Sequence, residues 1–344
     1  MSSTITTTLA NLVEVKYPAQ SFFLNTLYKR VVVSDNEQIA IDKVIEGEQL
    51  ARFVACCADG VARANPEFST TFFRPAYMQE IGNLLSCGNL QQRCPGEPLN
   101  GGWSADMRLA YYSMEMQARQ QAMFQRRFEW MAVRAAVDAK YTVSGDGVPT
   151  YEVNFGRDAG NTITVSAGLW TVGNSKPLAD IRAATDKVLN GCGMPADLLV
   201  LGVSAYNALV AHNDINDIIV NNGFTASRLL STEFAVAMRG AEYKGRLGSA
   251  NGIEVWMYSD RYKDEAGAYQ EMFPTNKFMV VSTMGYYGTR AHGAINIMGQ
   301  LGGVEVFTQQ YPMPGGKELR QETLSNALMI AGNPNATSVC VVTA

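Results

Sequence analysis

Residues 104–139, SADMRLAYYSMEMQARQQAMFQRRFEWMAVRAAVDA, run directly into residues 140–170, KYTVSGDGVPTYEVNFGRDAGNTITVSAGLW, and the change of texture at that junction decides the architecture. The first segment holds no Pro and no Gly and is rich in Ala, Met, Gln and Arg, all good helix formers. Met107, Tyr111, Met114, Ala118, Phe124, Phe128, Met131 and Ala135 recur along it as one apolar stripe. Ser104 stands where an N-cap is needed, and Glu115 and Arg119, four apart, are spaced to pair on the surface. At ~1.5 Å per residue the helix is roughly 50 Å long, far beyond the usual three turns. The second segment switches to Gly, Asp and Pro punctuation and then to alternating strands, Tyr151, Val153 and Phe155 followed by Ile163 and Val165. A long helix that ends in β-structure is a spine for holding something extended, not a pocket for a small molecule.

A family resemblance lies at the same junction. Lys140-Tyr141-Thr142, the Gly145 turn, Glu152-Val153-x-Phe155-Gly156-Arg157, Ile163-Thr164 and Trp170 hold their order together, as do Tyr311-Pro312, Ser325-x-Ala327-Leu328-Met329 and Pro334 near the end. In these positions the chain resembles the major capsid proteins of lambda-like tailed phages, the gpE family. The likeness spans most of the chain and is weaker in its first hundred residues. It implies an α+β chain with the Hong Kong 97-type capsid fold. Residues 1–38 would then be an N-terminal arm reaching across neighbouring subunits, and 39–82 an extended β-hairpin, the E-loop. Residues 83–175 would form a peripheral domain around the spine helix 104–139, and 176–303 an axial α/β domain. Residues 304–344 would supply strands returning to the peripheral domain. None of the matching motifs is a catalytic signature.

The remaining texture agrees with that order. Phe22, Phe23, Leu24, Leu27 and Tyr28 suit a short helix inside an otherwise extended arm with few internal contacts. Ala51–Cys57 reads as a strand, Asp59-Gly60 as a turn and residues 62–66 as a polar tip, with a second strand at Phe68–Phe73 and a hinge at Arg74-Pro75. Such a hairpin has little core and needs another chain to pack on. Glycines and prolines from Gly82 to Gly102 read as loop. Beyond Lys176, helices alternate with strands: Leu178–Asn190 with Gly191 as C-cap, strand 197–202, helix Ser204–Ala211 capped by Ser204, a helix within 225–240, and strands at Gly252–Tyr258 and Phe278–Ser282. Val304–Gln309 and Ala327–Ala344 read as strands rejoining the sheet begun near Tyr151.

Composition narrows the function classes. Hydrophobic residues make up 47% of the 344, which supports a real core, while charged residues at 17% fall below the usual quarter and favour a surface covered by other subunits. A net charge of −4 argues against a dedicated nucleic-acid binder. Cys56, Cys57, Cys87, Cys94, Cys192 and Cys340 lack metal or disulfide spacing and read as small hydrophobic residues in a reducing cytoplasm. No signal peptide and no membrane-length apolar run is visible, so the expectation is a soluble protein made in the cytoplasm.

Catalytic machinery is not found. His212 and His292 are isolated, and His212 sits at a helix end where it can cap carbonyls. Gly202-Val203-Ser204-Ala205-Tyr206 lacks the second Gly of a nucleophile elbow. Gly191-Cys192-Gly193 and Pro314-Gly315-Gly316-Lys317 read as turns rather than phosphate loops. Asp214 and Asp217 do not continue into a calcium loop. No catalytic residue, metal, cofactor or enzymatic activity is therefore expected.

Two residue sets remain as candidates. Arg119, Arg126, Arg127 and Arg134 recur seven or eight apart along the helix, either as an ordinary solvated face or as inter-subunit or DNA-facing contacts. Phe72, Phe73 and Tyr77 are either core or aromatic anchors that fasten the hairpin to a neighbour. By resemblance the chain is the major capsid protein of a tailed double-stranded DNA phage or prophage. It would assemble in the host bacterial cytoplasm into hexamers and pentamers of an icosahedral shell and reside in the virion. Implied partners are other copies of the chain, a separate scaffolding protein (no long helical segment precedes the arm), a portal, a possible decoration protein and packaged DNA in weak non-specific contact. The resemblance also implies a procapsid that expands, with bending at Arg74-Pro75 and Gly82–Gly102, and no covalent crosslinking. The alternatives are an encapsulin-like cellular compartment shell and, from another class, a cytoplasmic oligomeric α/β enzyme.

Overall fold

The computed structural model of the chain describes residues 19, 21–36, 38–45, 67–85, 93–97, 102–145, 148–165, 168–212, 240–247, 252–297, 301–314 and 318–344. The readings for residues 1–18, the strand at 51–57, the turn and tip at 59–66, the helix over 225–239, Asp214, Asp217, and Cys56, Cys57 and Cys87 lie outside the described residues. The described elements run α1 (Phe22–Thr26), β1 (Arg30–Val33), β2 (Ile39–Ile45), β3 (Glu67–Phe73), β4 (Ala76–Leu85), α2 (Ala105–Val137), β5 (Lys140–Gly145), β6 (Val148–Asn154), β7 (Thr162–Thr164), α3 (Pro177–Cys192), β8 (Leu198–Gly202) and α4 (Val203–Ala211). They continue with β9 (Ala241–Leu247), β10 (Ile253–Tyr258), β11 (Arg261–Lys263), β12 (Tyr269–Glu271), β13 (Lys277–Val281), β14 (Thr289–His292), β15 (Phe307–Pro312), β16 (Leu319–Ile330) and β17 (Thr337–Val341).

Helix α2 organises the rest. The Ser104 hydroxyl accepts from the Met107 N–H at 3.3 Å and opens it. Its apolar stripe is used unevenly. Phe124, Phe128, Met131, Val133 and Ala135 through Val137 are buried, whereas Met107 and Met114 are 56% and 73% exposed. Where the helix leaves the core it lies on the sheet through amides rather than hydrocarbon. The Gln120 amide nitrogen donates to the backbone carbonyls of Glu80 and Gln321, and its oxygen accepts from Thr323 Oγ1 at 2.8 Å and Gln321 Nε2 at 3.2 Å. Each buried polar atom there has a partner, as burial requires.

Two sheets flank the spine. One has five strands in the order β1-β14-β16-β15, with β4 on the other side of β16. The other has six, β7-β17-β13-β8-β10-β9. Alternation along β8 and β13 serves both faces of the second sheet. Leu198, Val200, Met279 and Val281 join the core around α1 and α2, while Leu199, Leu201, Phe278 and Val280 join a second core beneath α3 and α4. Trp170 stacks on Phe278 with centroids 5.2 Å apart and donates its indole N–H to Asp180 at 3.0 Å.

Several boundaries differ from the sequence reading. Strands β2 and β3 do pair, Ile39 against Phe73 through Ile45 against Glu67. The hairpin ends there, however, because Ala76–Leu85, read as hairpin and loop, is a ten-residue strand paired along β16. Gly82 is therefore inside a strand, where an added Cβ would collide with the Met116 side chain, and is not a joint. The last strands do not return together: β15 and β16 join the five-stranded sheet, but β17 pairs with β13 and β7 in the six-stranded one. Strand β14, read within the axial segment, crosses the other way. The β5–β6 ribbon near Tyr151 pairs only with itself among the described strands. Helix α3 runs past Gly191, which packs against Asn335, to a left-handed C-cap at Gly193 (φ 70°). Gly202, not Ser204, is the N-cap of α4, and the Ser204 side chain makes no capping bond.

The arm is the largest departure. Residues 22–28 are not loosely held: Phe23, Leu24, Leu27 and Tyr28 are buried. Both ends of α1 are capped by distant charges. At its start, Glu129 of α2 accepts from the Phe23 N–H at 2.8 Å and the Leu24 N–H at 3.1 Å. At its end, Arg290 of β14 donates to the carbonyls of Leu24 (2.7 Å) and Tyr28 (2.8 Å). An acid at the N-terminus and a base at the C-terminus complement the helix dipole. Glu129 also accepts from Tyr258 at 3.2 Å. Burial nevertheless raises its carboxyl from the ordinary 4.5 to about 7, against the lowering effect of the Phe23, Leu24 and Tyr258 donors and with a further push from Asp260.

A raised folded-state value means the native chain holds this proton when the unfolded chain has released it. Stability is thus greatest below pH 4.5 as far as this group is concerned and declines until about pH 7. The shift corresponds to about 3 kcal/mol. The Glu129→Gln variant, which cannot ionise, is expected to lose that slope between pH 4.5 and 7; denaturant titrations of dispersed subunits across that window check it.

Candidate assembly surfaces

No group of three or more His, Cys, Asp or Glu side chains able to hold a metal occurs among the described residues. His212 ends α4 buried, with Nε2 2.9 Å from Ser175 Oγ. His292 is buried against Phe128 without a hydrogen bond to either ring nitrogen, and burial pushes its pKa below the usual 6.5. Cys94, Cys192 and Cys340 are free thiols. What the described residues offer is surfaces rather than a catalytic constellation.

The four arginines divide into two sets. Arg119 is exposed and pairs with Glu115 at 3.1 Å, the i,i+4 contact expected from spacing. Arg127 and Arg134 instead flank the Trp130 ring at 5.5 and 5.9 Å, and Arg134 also reaches Asp138 at 3.3 Å. Arg126 is half-buried on the same stretch of helix. The three aromatics also separate. Phe72 is 67% exposed, while its neighbour Phe73 turns inward onto Phe155 with centroids 5.6 Å apart. Tyr77 is not on the hairpin: it lies on β4 opposite Asn326, 46% exposed. The joint at Arg74-Pro75 is fastened by the Tyr151 hydroxyl, which lies 3.2 and 3.3 Å from their two carbonyl oxygens.

Other apolar groups, not singled out by sequence, are exposed as well. Tyr77 and Ile81 point away from α2 on β4, which pairs on one side only among the described strands. Val31 and Val33 are exposed on β1, the opposite edge of the same sheet. Monomeric proteins usually blunt such edges with charge or cover them. A groove of about 490 Å³ beside β1 is lined by Val32, Val33, Ile39 and Phe72. A second recess of similar volume opens at the C-terminal end of α2 between the β5–β6 ribbon and the edge of the six-stranded sheet. The sequence carries signals for these surfaces, in strand alternation at Tyr77-x-x-x-Ile81 and in the unbroken stripe to Met107, but alternation alone does not say which face is covered.

The model of the family described as phage major capsid protein E matches residues 5–341 of the chain. The chain is 25% identical over 342 residues to the P21 prophage-derived major head protein of Escherichia coli O6:H1 (strain CFT073), covering 95% of each. It is 24% identical over 299 residues to the major capsid protein of Escherichia phage lambda, 86% of this chain and 84% of that one. A crystal structure assigned to the capsid protein of an E. coli CFT073 prophage superposes with a TM-score of 0.69 at 17% identity, covering 94% of both chains. That likeness establishes the fold.

The adjacent phenylalanines separate folding from association. Phe72→Ser is expected to change subunit stability by no more than about 0.5 kcal/mol, whereas Phe73→Ser costs about 1–2 kcal/mol because it removes the ring that packs on Phe155. Phe72→Ser is expected to weaken self-association all the same. Chemical denaturation alongside light scattering of the two variants checks both halves.

Proposed function

The chain belongs to the phage major capsid protein E family, and from that membership we infer how its surfaces are used. It is a structural subunit of a tailed-phage or prophage capsid, with the Hong Kong 97-type fold, and its place is the virion shell. Its family is one of shell proteins, not enzymes. Finer assignments follow as proposals. Copies associate into hexamers and pentamers that close an icosahedral shell around double-stranded DNA. The hairpin bearing Phe72, the sheet edges at β1 and β4, and the uncovered half of the α2 stripe supply surface that neighbouring copies bury. At about 25 cal/mol per Å² of apolar area, interfaces of a few thousand Å² hold such a lattice, with much of the gain offset by ordering. Residues 1–38 and 39–73 act as arm and extended loop. A scaffolding protein, a portal and a decoration protein assist, and assembly takes place in the bacterial cytoplasm.

The observation that supports this best is the spine helix, whose apolar stripe is buried over its second half and exposed at Met107 and Met114 over its first, in a chain whose family builds shells. Electron microscopy of the purified chain with its scaffolding protein is expected to show closed shells or capsomer rings. A protease-resistant monomer that stays dispersed at high concentration with those accessory proteins overturns the reading.

Arg119 and Arg126 are proposed to face packaged DNA: Arg119 is exposed beside Glu115, and Arg126 lies two turns further along the same face of α2. Replacing both with Gln is expected to reduce the salt dependence of DNA binding by shell fragments, by a slope of roughly one for each phosphate no longer neutralised. An unchanged slope assigns them to subunit pairing instead.

A further inference from the structure

The Phe155-Gly156-Arg157 motif places a guanidinium in the recess at the end of α2. Its Nη1 donates to the Ala136 carbonyl and to Thr337 Oγ1, both at 3.3 Å, and its Nη2 to Thr162 Oγ1 at 3.4 Å. All three acceptors are neutral, and no described carboxylate touches this guanidinium. Capping the last carbonyls of the helix explains the bond to Ala136 but leaves a full positive charge mostly out of water. Burial pushes the Arg157 pKa down, only partly offset by the charge of Asp138.

The charges around it do not balance. Arg134, Lys140, Arg157 and Lys277 line the recess, opposed among its described lining residues only by Asp138 and Glu152. Asp138 is shared, 3.3 Å from Arg134 and 3.2 Å from Lys277, and Glu152 is taken by Lys140 at 3.3 Å. Two positive charges remain in excess. Trp130, whose ring Arg134 also approaches at 5.9 Å, forms part of the same wall. A guanidinium held only by neutral acceptors and an excess of cations call for the same complement, an oxyanion. The floor between them is apolar, with Val339 and the 42% exposed Val341, which suits the methylene stem of an acidic side chain.

We propose that this recess receives an Asp or Glu side chain from a second copy of the chain, completing an ion cluster that the single subunit leaves open. The proposal rests on the shell-subunit reading. The occupant is a side chain rather than nucleic acid because the cations sit in a recess of about 490 Å³, while the phosphates of a duplex lie along a rod that cannot enter it. It is a second copy because the chain carries 32 acidic against 28 basic residues, so carboxylates are in surplus, and copies of it are the neighbours a shell supplies. Charge-assisted contacts of this kind fix register between subunits more than they add raw affinity.

A zero-length carbodiimide crosslink tests this, because it joins a lysine to a carboxylate only when the two are in contact. Shells assembled from equal amounts of ¹⁵N-labelled and unlabelled chain are treated and digested, and lysine–carboxylate peptides are identified by mass spectrometry. The expected result is an isotopically mixed crosslink from Lys277 or Lys140 to an Asp or Glu, present in shells and absent from dispersed subunits. Crosslinks confined to one chain, Lys277 to Asp138 and Lys140 to Glu152, overturn the proposal. Failure of the shell-subunit reading shows itself separately, as the absence of particles before any reagent is added. Once the acidic residue is identified, its replacement by Lys is expected to block closure, and closure is expected to return when Lys277→Glu is combined with it.

Discussion

A single carboxylate three-quarters of the way along the spine helix ties three parts of the molecule to one point. Glu129 receives two backbone N–H groups from α1 and a hydroxyl from β10, so the arm segment, the spine and the six-stranded sheet meet on its two oxygens. A five-residue helix has no stability of its own; nucleation alone costs more than its few bonds return. Segment α1 exists because Glu129 satisfies its first donors, Arg290 its last acceptors, and Phe23, Leu27 and Tyr28 fill the space between. The Tyr28 hydroxyl adds bonds to the Ala132 carbonyl at 3.2 Å and to Tyr286 at 2.6 Å. Breaking one end of this arrangement strands the polar groups at the other, in a core where each would be costly unpaired.

That anchoring divides the spine. From Phe124 to Val137 the helix is the centre of a core shared by both sheets. Toward Ala105 it rides on the five-stranded sheet through Gln120, Gln321, Ser113 and Gln310, an amide and hydroxyl ladder that fixes position without much apolar area. The hydrocarbon that would normally seal such a helix, at Met107 and Met114, faces outward. Methionine suits that place, since its flexible, polarizable side chain adapts to neighbours set at slightly different angles. A surface open to neighbouring groups suits that tolerance, whereas the buried half of the same helix is built mostly from Phe, Ala and Val, with Met131 among them, in fixed packing.

How far the sequence reveals this depends on the kind of information involved. The extent of α2, its Ser104 cap and the Glu115–Arg119 pair are local, and periodicity with capping chemistry is enough to place them. Strand identity at β8, β10 and β13 follows from dense apolar runs. Sheet membership is another matter. Strands β14 and β17 exchange between sheets over long stretches of chain, and nothing in Thr289–His292 or Thr337–Val341 marks which partner each will find. Glu129 is equally hidden: among the polar residues of a long helix, a glutamate looks solvated until the arm folds onto it. Tyr77 reads as part of the hairpin because it follows so closely on Pro75, yet the long strand beginning at Ala76 is set by pairing with β16, a segment more than two hundred residues away.

Part of the family resemblance, Tyr141, Phe155, Gly156 and Arg157, converges on one place. Tyr141 is buried against Trp130 and Phe155, Phe155 packs on Phe73 at the base of the hairpin, and Arg157 reaches the last carbonyls of α2. Gly156, with φ at 71°, lets the chain turn between Phe155 and Arg157 where a side chain would be strained. Lys140 and Lys277 line the adjoining recess. The motif therefore encodes no reaction. It is the joint at which spine, ribbon, hairpin base and second sheet meet within the subunit. A catalytic protein concentrates its sequence signature around reacting atoms; in this chain that part of the signature surrounds a packing joint between the elements of one subunit.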